Sequence, residues 1–339
     1  MIELRPIRDN ERVAIAIPTR DRHSYLSVLL ASLAIQTYTN WMMVINDDSE
    51  NPVEDHDTIR DLFALMRKNG NEVTVIHGRS GSARHQKAMD AVPASIDVIV
   101  RIDDDLMATP TFLQDILQPF HFFRDDSPAA VGGCYPEPHM HPISLEISVT
   151  DRAWIPRFDE PTWRLQGHYY EERQIVAVES LLGHAICYRR SAVRDVGGWA
   201  VEGYSPHAHR EESDLCARLA CAGYPLLVTT QALAWHLYAP GGGSRRVNKT
   251  PEGNFLVSDK RPLEDDDRIF QERLRQFAAV YGRPRRPLGR FRIADLEQHR
   301  HRRRPLITLK NRSLGAIERR FLRRARKLLW GSDSRPRSG

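Results

Sequence analysis

Three features of the 339-residue chain predict an α/β fold with a mostly parallel sheet flanked by helices. Short apolar runs alternate with stretches of helical period through residues 1–134. The first run, Val13-Ala14-Ile15-Ala16-Ile17, is continuously apolar, the pattern of a strand covered on both faces. Acidic clusters follow two of the runs, Asp47-Asp48 and Asp103-Asp104-Asp105, on the edge where such sheets bind ligands.

The elements follow in order. The strand at 13–17 is ended by Pro18, and Leu26, Leu29, Leu30 and Leu33 place a helix over 25–35. A second strand, 41–45, ends in Asn46-Asp47-Asp48-Ser49; a helix around 59–66 leads to a third strand at 73–76. Residues 82–91 read as helix, 96–102 as the fourth strand, 112–122 as helix, and Ala129-Ala130-Val131 before Gly132-Gly133 as the strand closing this half. Residues 135–173, rich in Pro, His, Trp and Arg without a period, are expected to form a loop-rich lid on an acceptor side. One strand is expected over 175–188, holding Leu181-Leu182-Gly183-His184-Ala185, then a short helix at 191–196 and a turn at Gly197-Gly198-Trp199. Leu215, Leu219 and Ala222 line one face of a helix over 211–222 capped by Gly223, and 225–228 is the last strand. Residues 1–134 and 135–245 thus form two halves of one domain, and 246–339 an extension.

Apolar content of 41% and charged content of 27% are those of a soluble globular protein. The start lacks an apolar h-region and no stretch reaches bilayer length, so the expectation is a cytoplasmic protein, peripheral to a membrane at most. Cys134, Cys187, Cys216 and Cys221 form no zinc or disulfide spacing and read as buried thiols. The net charge of +5 hides a division: residues 283–339 carry 19 Lys and Arg against 4 Asp and Glu, while the body carries 30 against 40. In the tail, Leu314, Ile317, Phe321, Ala325 and Leu328 recur at steps of three and four among arginines, giving a basic amphipathic helix that ends in Trp330. Its stripe suits docking on the acidic body or on a second copy of the chain, or lying on an anionic membrane. Nucleic acid is a weaker third partner, since no recognition motif accompanies the arginines.

Three adjacent carboxylates repel one another unless a cation absorbs the excess charge. A divalent ion held by hard oxygens, with positions open for substrate phosphates, meets that need. Taken alone, Asp103-Asp104-Asp105 reads equally as a solvated turn.

Taken together, VAIAIPTRDR, WMMVINDDSE, GSARHQKAMDA, VIVRIDDDLMATPTFL, LLGHAICYRRSAVRDVGGW and REESDLCARLACAGYPLLVTTQALAWH resemble, in order over residues 12–240, a family 2 glycosyltransferase of the GT-A, Rossmann-like type. The resemblance implies a nucleotide-diphosphate-sugar donor with UDP as the default, Mn2+ or Mg2+, inversion at the anomeric carbon and an acceptor hydroxyl on an unnamed glycan or lipid-linked molecule. It places Pro18, Thr19 and Arg20 against base and ribose, Asp48 on the base, and Gly81, Ala83 and Arg84 beneath the nucleotide. Asp105 becomes a metal ligand and His236 a further one, with Asp103 or Asp104 toward ribose or a metal-bound water. Glu212 becomes the general base, with Asp214 as the fallback, while Glu211, His184 and Trp199 line the acceptor side, where Glu179 and Glu202 are further polar candidates. Plain structural alternatives stand beside these roles: Pro18 as a strand end, Asp48 in an Asx-turn, Arg84 as a solvated helix start, the three acids of 211–214 on a helix dipole, His236 as a structural histidine and Trp199 as core. Gly241-Gly242-Gly243-Ser244-Arg245-Arg246 reads as a loop whose cations close over a diphosphate, or as a plain linker. Two other functions stand beside this one. A nucleotidyltransferase would need a glycine-rich loop after the first strand, where PTRDR has none. A non-catalytic, basic-tailed membrane or nucleic-acid binder would not need the acid triplet.

Overall fold

The structure is a computed structural model that describes residues 4, 7–78, 83–123, 127–136, 174–178, 180–181, 183–199, 202–205, 210–239, 242, 247–249, 255–257, 261–281 and 290–292. The chain runs β1 (Val13–Thr19), α1 (His23–Ala34), β2 (Trp41–Asp47), α2 (Asp57–Lys68), β3 (Glu72–His77), α3 (Arg84–Ala91), β4 (Val98–Ile102), β5 (Leu106–Ala108), α4 (Phe112–Phe122) and β6 (Ala130–Cys134). It continues through β7 (Gln174–Val178), β8 (Ala185–Arg189), α5 (Arg190–Asp195), α6 (Glu211–Cys221), β9 (Leu226–His236), β10 (Val247–Lys249), β11 (Phe255–Val257), α7 (Arg261–Tyr281) and β12 (Arg290–Arg292). The large sheet has the order β12-β7-β9-β6-β8-β4-β1-β2-β3, with β5 paired to the far end of β9 and β10-β11 a separate pair. Along that path β7 and β8 run against the other strands.

The two-residue period of the central strands divides their side chains between two cores. Val13, Ile15 and Ile17 of β1, Met43 and Ile45 of β2, and Val98, Val100 and Ile102 of β4 face α1, α2 and α4. Ala14 and Ala16, Met42 and Val44, and Ile99 face the layer that holds α3, α5, α6 and α7. Burial on both faces is why these strands read as unbroken apolar runs. Each fully buried aliphatic side chain contributes about 1.5–3 kcal/mol of transfer free energy. Arg101 continues the Ile99 side of β4, so this face carries a cation where the pattern calls for an aliphatic residue.

Three expectations change. The single strand over 175–188 is two, β7 beside β9 and β8 between β4 and β6; Leu181, Gly183 and His184 belong to the connection. His236 is the last residue of β9 rather than past it, because β9 runs on to pair with β5. The stretch taken as extension contains α7, whose Phe270 and Leu274 enter the same core as α6. All four cysteines are buried and outside any disulfide, as expected. Residues 137–173 of the lid expected over 135–173, Gly81, Glu179, Arg245, Arg246 and the expected basic helix lie outside the described residues. Among the described residues, no helix is long and apolar enough to cross a membrane.

Candidate active site

The polar residues gather outside the carboxyl ends of β1, β2 and β4. Strand pairing assembles them: Ile102 lies opposite Ala185, so the Asp103 amide donates to the His184 carbonyl at 2.8 Å. On the other side Leu106 lies opposite His236, and the Leu237 amide donates to the Asp105 carbonyl at 2.8 Å. Tyr238 adopts φ 58°, uncommon for a non-glycine residue, and the next amide, Ala239, donates to Asp105 Oδ2 at 3.3 Å.

The triplet divides between two environments. Asp104 is buried; its Oδ2 accepts from Thr19 Oγ1 at 2.8 Å and its Oδ1 from Arg22 Nη1 at 2.9 Å. Arg22 Nη1 also reaches Asp105 Oδ2 at 3.1 Å, and His236 Nε2 stands 3.6 Å from the same oxygen. Burial pushes Asp104 up to about 6, whereas His236, Arg22 and the Ala239 amide overcome burial and hold Asp105 below the usual carboxylate range. The rings of Tyr135, His184, His236 and Tyr238 follow one another at centroid separations of 5.4, 4.4 and 4.4 Å. Gly242 at φ +70° seats on the 20–22 turn, where a Cβ would meet Arg22 Cγ at 2.6 Å.

Asp103 turns the other way. Its Oδ1 pairs with Arg101 Nη2 at 2.7 Å, and the same nitrogen is 3.3 Å from Glu212 Oε1 in the first turn of α6. A Cβ at Gly183 would lie 2.7 Å from the Glu212 carboxyl, so glycine there lets that carboxylate approach the backbone. Glu212 is pushed up to about 7, first by burial, then by Glu211 and Asp103, with Arg101 opposing. Its neighbour Glu211 points inward, its Oε1 held by Arg84 and by His85 Nε2 at 2.9 Å. Burial also raises Glu211, to about 7, with Arg84 and Arg101 pulling back. Arg101 faces both ring nitrogens of His85, Nε at 3.3 Å from Nδ1 and Nη2 at 3.1 Å from Nε2.

The remaining expected site residues fall as follows. Pro18 and Thr19 end β1 opposite Asn46 and Asp47, and the Asp48 amide donates to the Thr19 carbonyl at 2.9 Å. Asp47 forms an Asx-turn, accepting from the Ser49 and Val53 amides. Arg20 is exposed beside Asp21 at 3.6 Å, and Glu202 is exposed. Arg84 is turned onto Glu211 rather than outward. Trp199 is 3% exposed and packs on His85 and Tyr188, so it forms the floor beneath His85 and offers no stacking face to a sugar. Asp214 is fully buried between Arg218 Nε at 2.7 Å, Arg273 Nε at 2.6 Å and the Tyr204 hydroxyl at 3.0 Å; it holds α6 to α7 and has no room to act as a base.

Three residues of the site went unnoticed in the sequence: Arg22, His85 and Arg101. A charge inside an apolar strand is a signal for Arg101; nothing distinguishes Arg22 or His85 from surface residues until the sheet is formed. Among the described residues, two His-carboxylate groups bring three potential ligand atoms within 4.8 Å of one another, Asp47-Glu54-His77 and His85-Glu211-Glu212. The second already carries two guanidinium groups, Arg84 and Arg101, which oppose a cation.

A sheet with its acids outside the carboxyl ends of parallel strands is the ligand-binding edge of an α/β fold. The chain belongs to the glycosyltransferase-like family 2, whose model matches residues 10–254. No curated protein matches it. Among solved structures it is similar to S. aureus TarS, at 16% identity over 68% of this chain and 37% of that one, with a TM-score of 0.45. It is also similar to TarS 1–349 in complex with UDP-GlcNAc, at 15% identity over 68% and 60% and a TM-score of 0.46. The chain thus spans well under half of the longer TarS chain.

Proposed function

We propose that the protein is a metal-dependent, inverting glycosyltransferase that moves a sugar from a nucleotide-diphosphate sugar, UDP by default, to an acceptor hydroxyl. The observation that supports this most is the juxtaposition at the end of β4, where Asp105 meets His236 on one side and Asp103 meets the Glu212 side on the other. Family membership supports the same reading.

Asp105 Oδ2 and His236 Nε2 suit Mn2+ or Mg2+: an ionised carboxylate oxygen and an imidazole nitrogen converge 3.6 Å apart. The ion would supply charge neutralisation to the departing diphosphate. Pro18, Thr19, Arg20 and Asp48 would flank the nucleoside. Asp103 suits the ribose better than Asp104, whose two oxygens are taken by Thr19 and Arg22. Glu212 would accept the acceptor's hydroxyl proton as that oxygen bonds to the anomeric carbon. The bond from the anomeric carbon to the diphosphate breaks, and its electron pair leaves with the phosphate. A carboxyl raised toward neutral pH is a stronger base than an ordinary one, which suits this task. His184 lines the acceptor side, and Glu211 and Arg84 act from beneath.

Thermal-shift measurements with UDP, GDP and dTDP sugars, each with and without Mn2+, test the reading. Binding at 100 times the dissociation constant stabilises by about 2.7 kcal/mol. The expected outcome is stabilisation by one nucleotide class that needs Mn2+ and is lost in Asp105→Ala. Equal stabilisation with and without metal would reject the metal assignment.

A further inference from the structure

We infer that Arg101 is a positioning residue that couples the donor-side carboxylate Asp103 to the base Glu212 through one shared guanidinium nitrogen. The inference rests on the base assignment above. Arg101 Nη2 lies 2.7 Å from Asp103 Oδ1, 3.3 Å from Glu212 Oε1 and 3.1 Å from His85 Nε2, so the two N–H bonds of one nitrogen are shared among more acceptors than they can serve at once, two of them carboxylates assigned to opposite substrates. The contact to Asp103 is the shorter. Any donor group that draws Asp103 away returns the guanidinium to Glu212, and any loss of the guanidinium leaves both acids uncompensated.

The surroundings of Arg101 fix its guanidinium between the two carboxylates. It projects from β4 on the Ile99 side, beside Ala16, where small residues leave space for it. Its side chain is 4% exposed, and Nε is spent on His85 Nδ1. Nη1 is buried with no hydrogen-bond partner among the described residues, as is Glu211 Oε2. Arg190, on α5 of the same half, shows the contrast: it spends its two terminal nitrogens on the Val92, Pro93 and Ala94 carbonyls. Asp103, by contrast, is 29% exposed and open to a ligand on its outer side.

Among the described residues, the groups facing Glu212 are Arg101 and Asp103 from the end of β4, His85 from α3, Glu211 and Cys216 from its own helix, and the Gly183 backbone. Arg101 stabilises the ionised form of Glu212, and Asp103 and Glu211 oppose it. A general base works when deprotonated, so the rate falls on the acid side of its pKa. Removing the cation must move that acid limb upward. Removing the competing charge of Asp103 must move it downward and free Nη2 for Glu212.

The test is the pH profile of single-turnover transfer by the full chain, saturated with donor, for wild type, Arg101→Gln, Arg101→Lys and Asp103→Asn. Arg101→Gln should raise the acid limb by about one pH unit, about a tenfold lower rate at a pH below the limb. Arg101→Lys should restore most of the wild-type limb, and Asp103→Asn should shift it the opposite way while weakening nucleotide binding measured by calorimetry. If Arg101→Gln does not fold, the downward shift in Asp103→Asn carries the test alone. A limb that is present in wild type and unmoved, or moved in the same direction, by the foldable variants overturns the coupling. A Glu212→Gln protein with wild-type turnover instead overturns the base assignment, and the two failures are thus distinguishable.

Discussion

Two arginines neutralise the acids of this site, and they do so in different ways. Arg22 spans Asp104 and Asp105 from a turn after β1, with its side chain 16% exposed. Arg101 spans Asp103 and Glu212 from inside the sheet, locked to His85. The partly exposed guanidinium can give up its carboxylates to water or to another cation at small cost. The buried one must keep a carboxylate partner, so it moves between Asp103 and Glu212 and not to water. One triplet of aspartates therefore meets an exchangeable cation at Asp104 and Asp105, suited to giving way to a metal, and a retained cation at Asp103, suited to holding a base.

Substitutions can break or sharpen that contrast. The largest effect belongs to Glu212→Gln, expected to lower turnover by about 10²–10⁴-fold with nucleotide binding retained. Turnover near wild type would remove the base from the side of the retained cation. Next is Asp214→Ala, which leaves Arg218 and Arg273 buried without their shared carboxylate and should cost about 3–5 kcal/mol in urea unfolding. A loss below about 1 kcal/mol would mean that α7 does not brace the helix carrying Glu212. A third effect is in stability against pH. Glu212 is raised in the folded chain, so between its ordinary value near 4.5 and about 7 the unfolded chain holds fewer protons than the folded one. Glu212's contribution therefore falls as pH rises through that window, by at most about 1.4 kcal/mol per unit, and Glu212→Gln should flatten the slope. Glu211 adds to the same trend. The smallest effect is Arg22→Met, which removes the exchangeable cation and should tighten Mn2+ binding, read by the loss of the free-ion paramagnetic signal, about 3- to 10-fold. The same change in Arg101→Met would erase the distinction between the two sides.

The donor half was largely legible because its physics is local. Runs such as 13–17 and 41–45 announce strands buried on both faces, and Leu26, Leu29, Leu30 and Leu33 announce the helix that covers them. The acceptor half was less so. Antiparallel β8 enters between β4 and β6, and no period in 175–188 says that the chain must break before Gly183 to reach that slot. Helix α7 lies beyond the family match, and its hold on α6 through Asp214 and Arg273 has no trace in spacing. Glu211 and Glu212 look alike in sequence; 100° of helical rotation sends one to His85 and the other to Gly183.

The sequence by itself determined the alternation of strands and helices, the acids at the ends of β2 and β4, and the family. Those follow from period and local chemistry. Tertiary structure decided which acid meets which cation. It turned Asp103 toward Arg101 and Asp105 toward His236, formed an Asx-turn at Asp47, sealed Trp199 beneath His85 and made Asp214 a clasp. The reason is that the charge state of a buried group depends on neighbours brought from other strands and helices, and strand pairing supplies these only once the sheet closes.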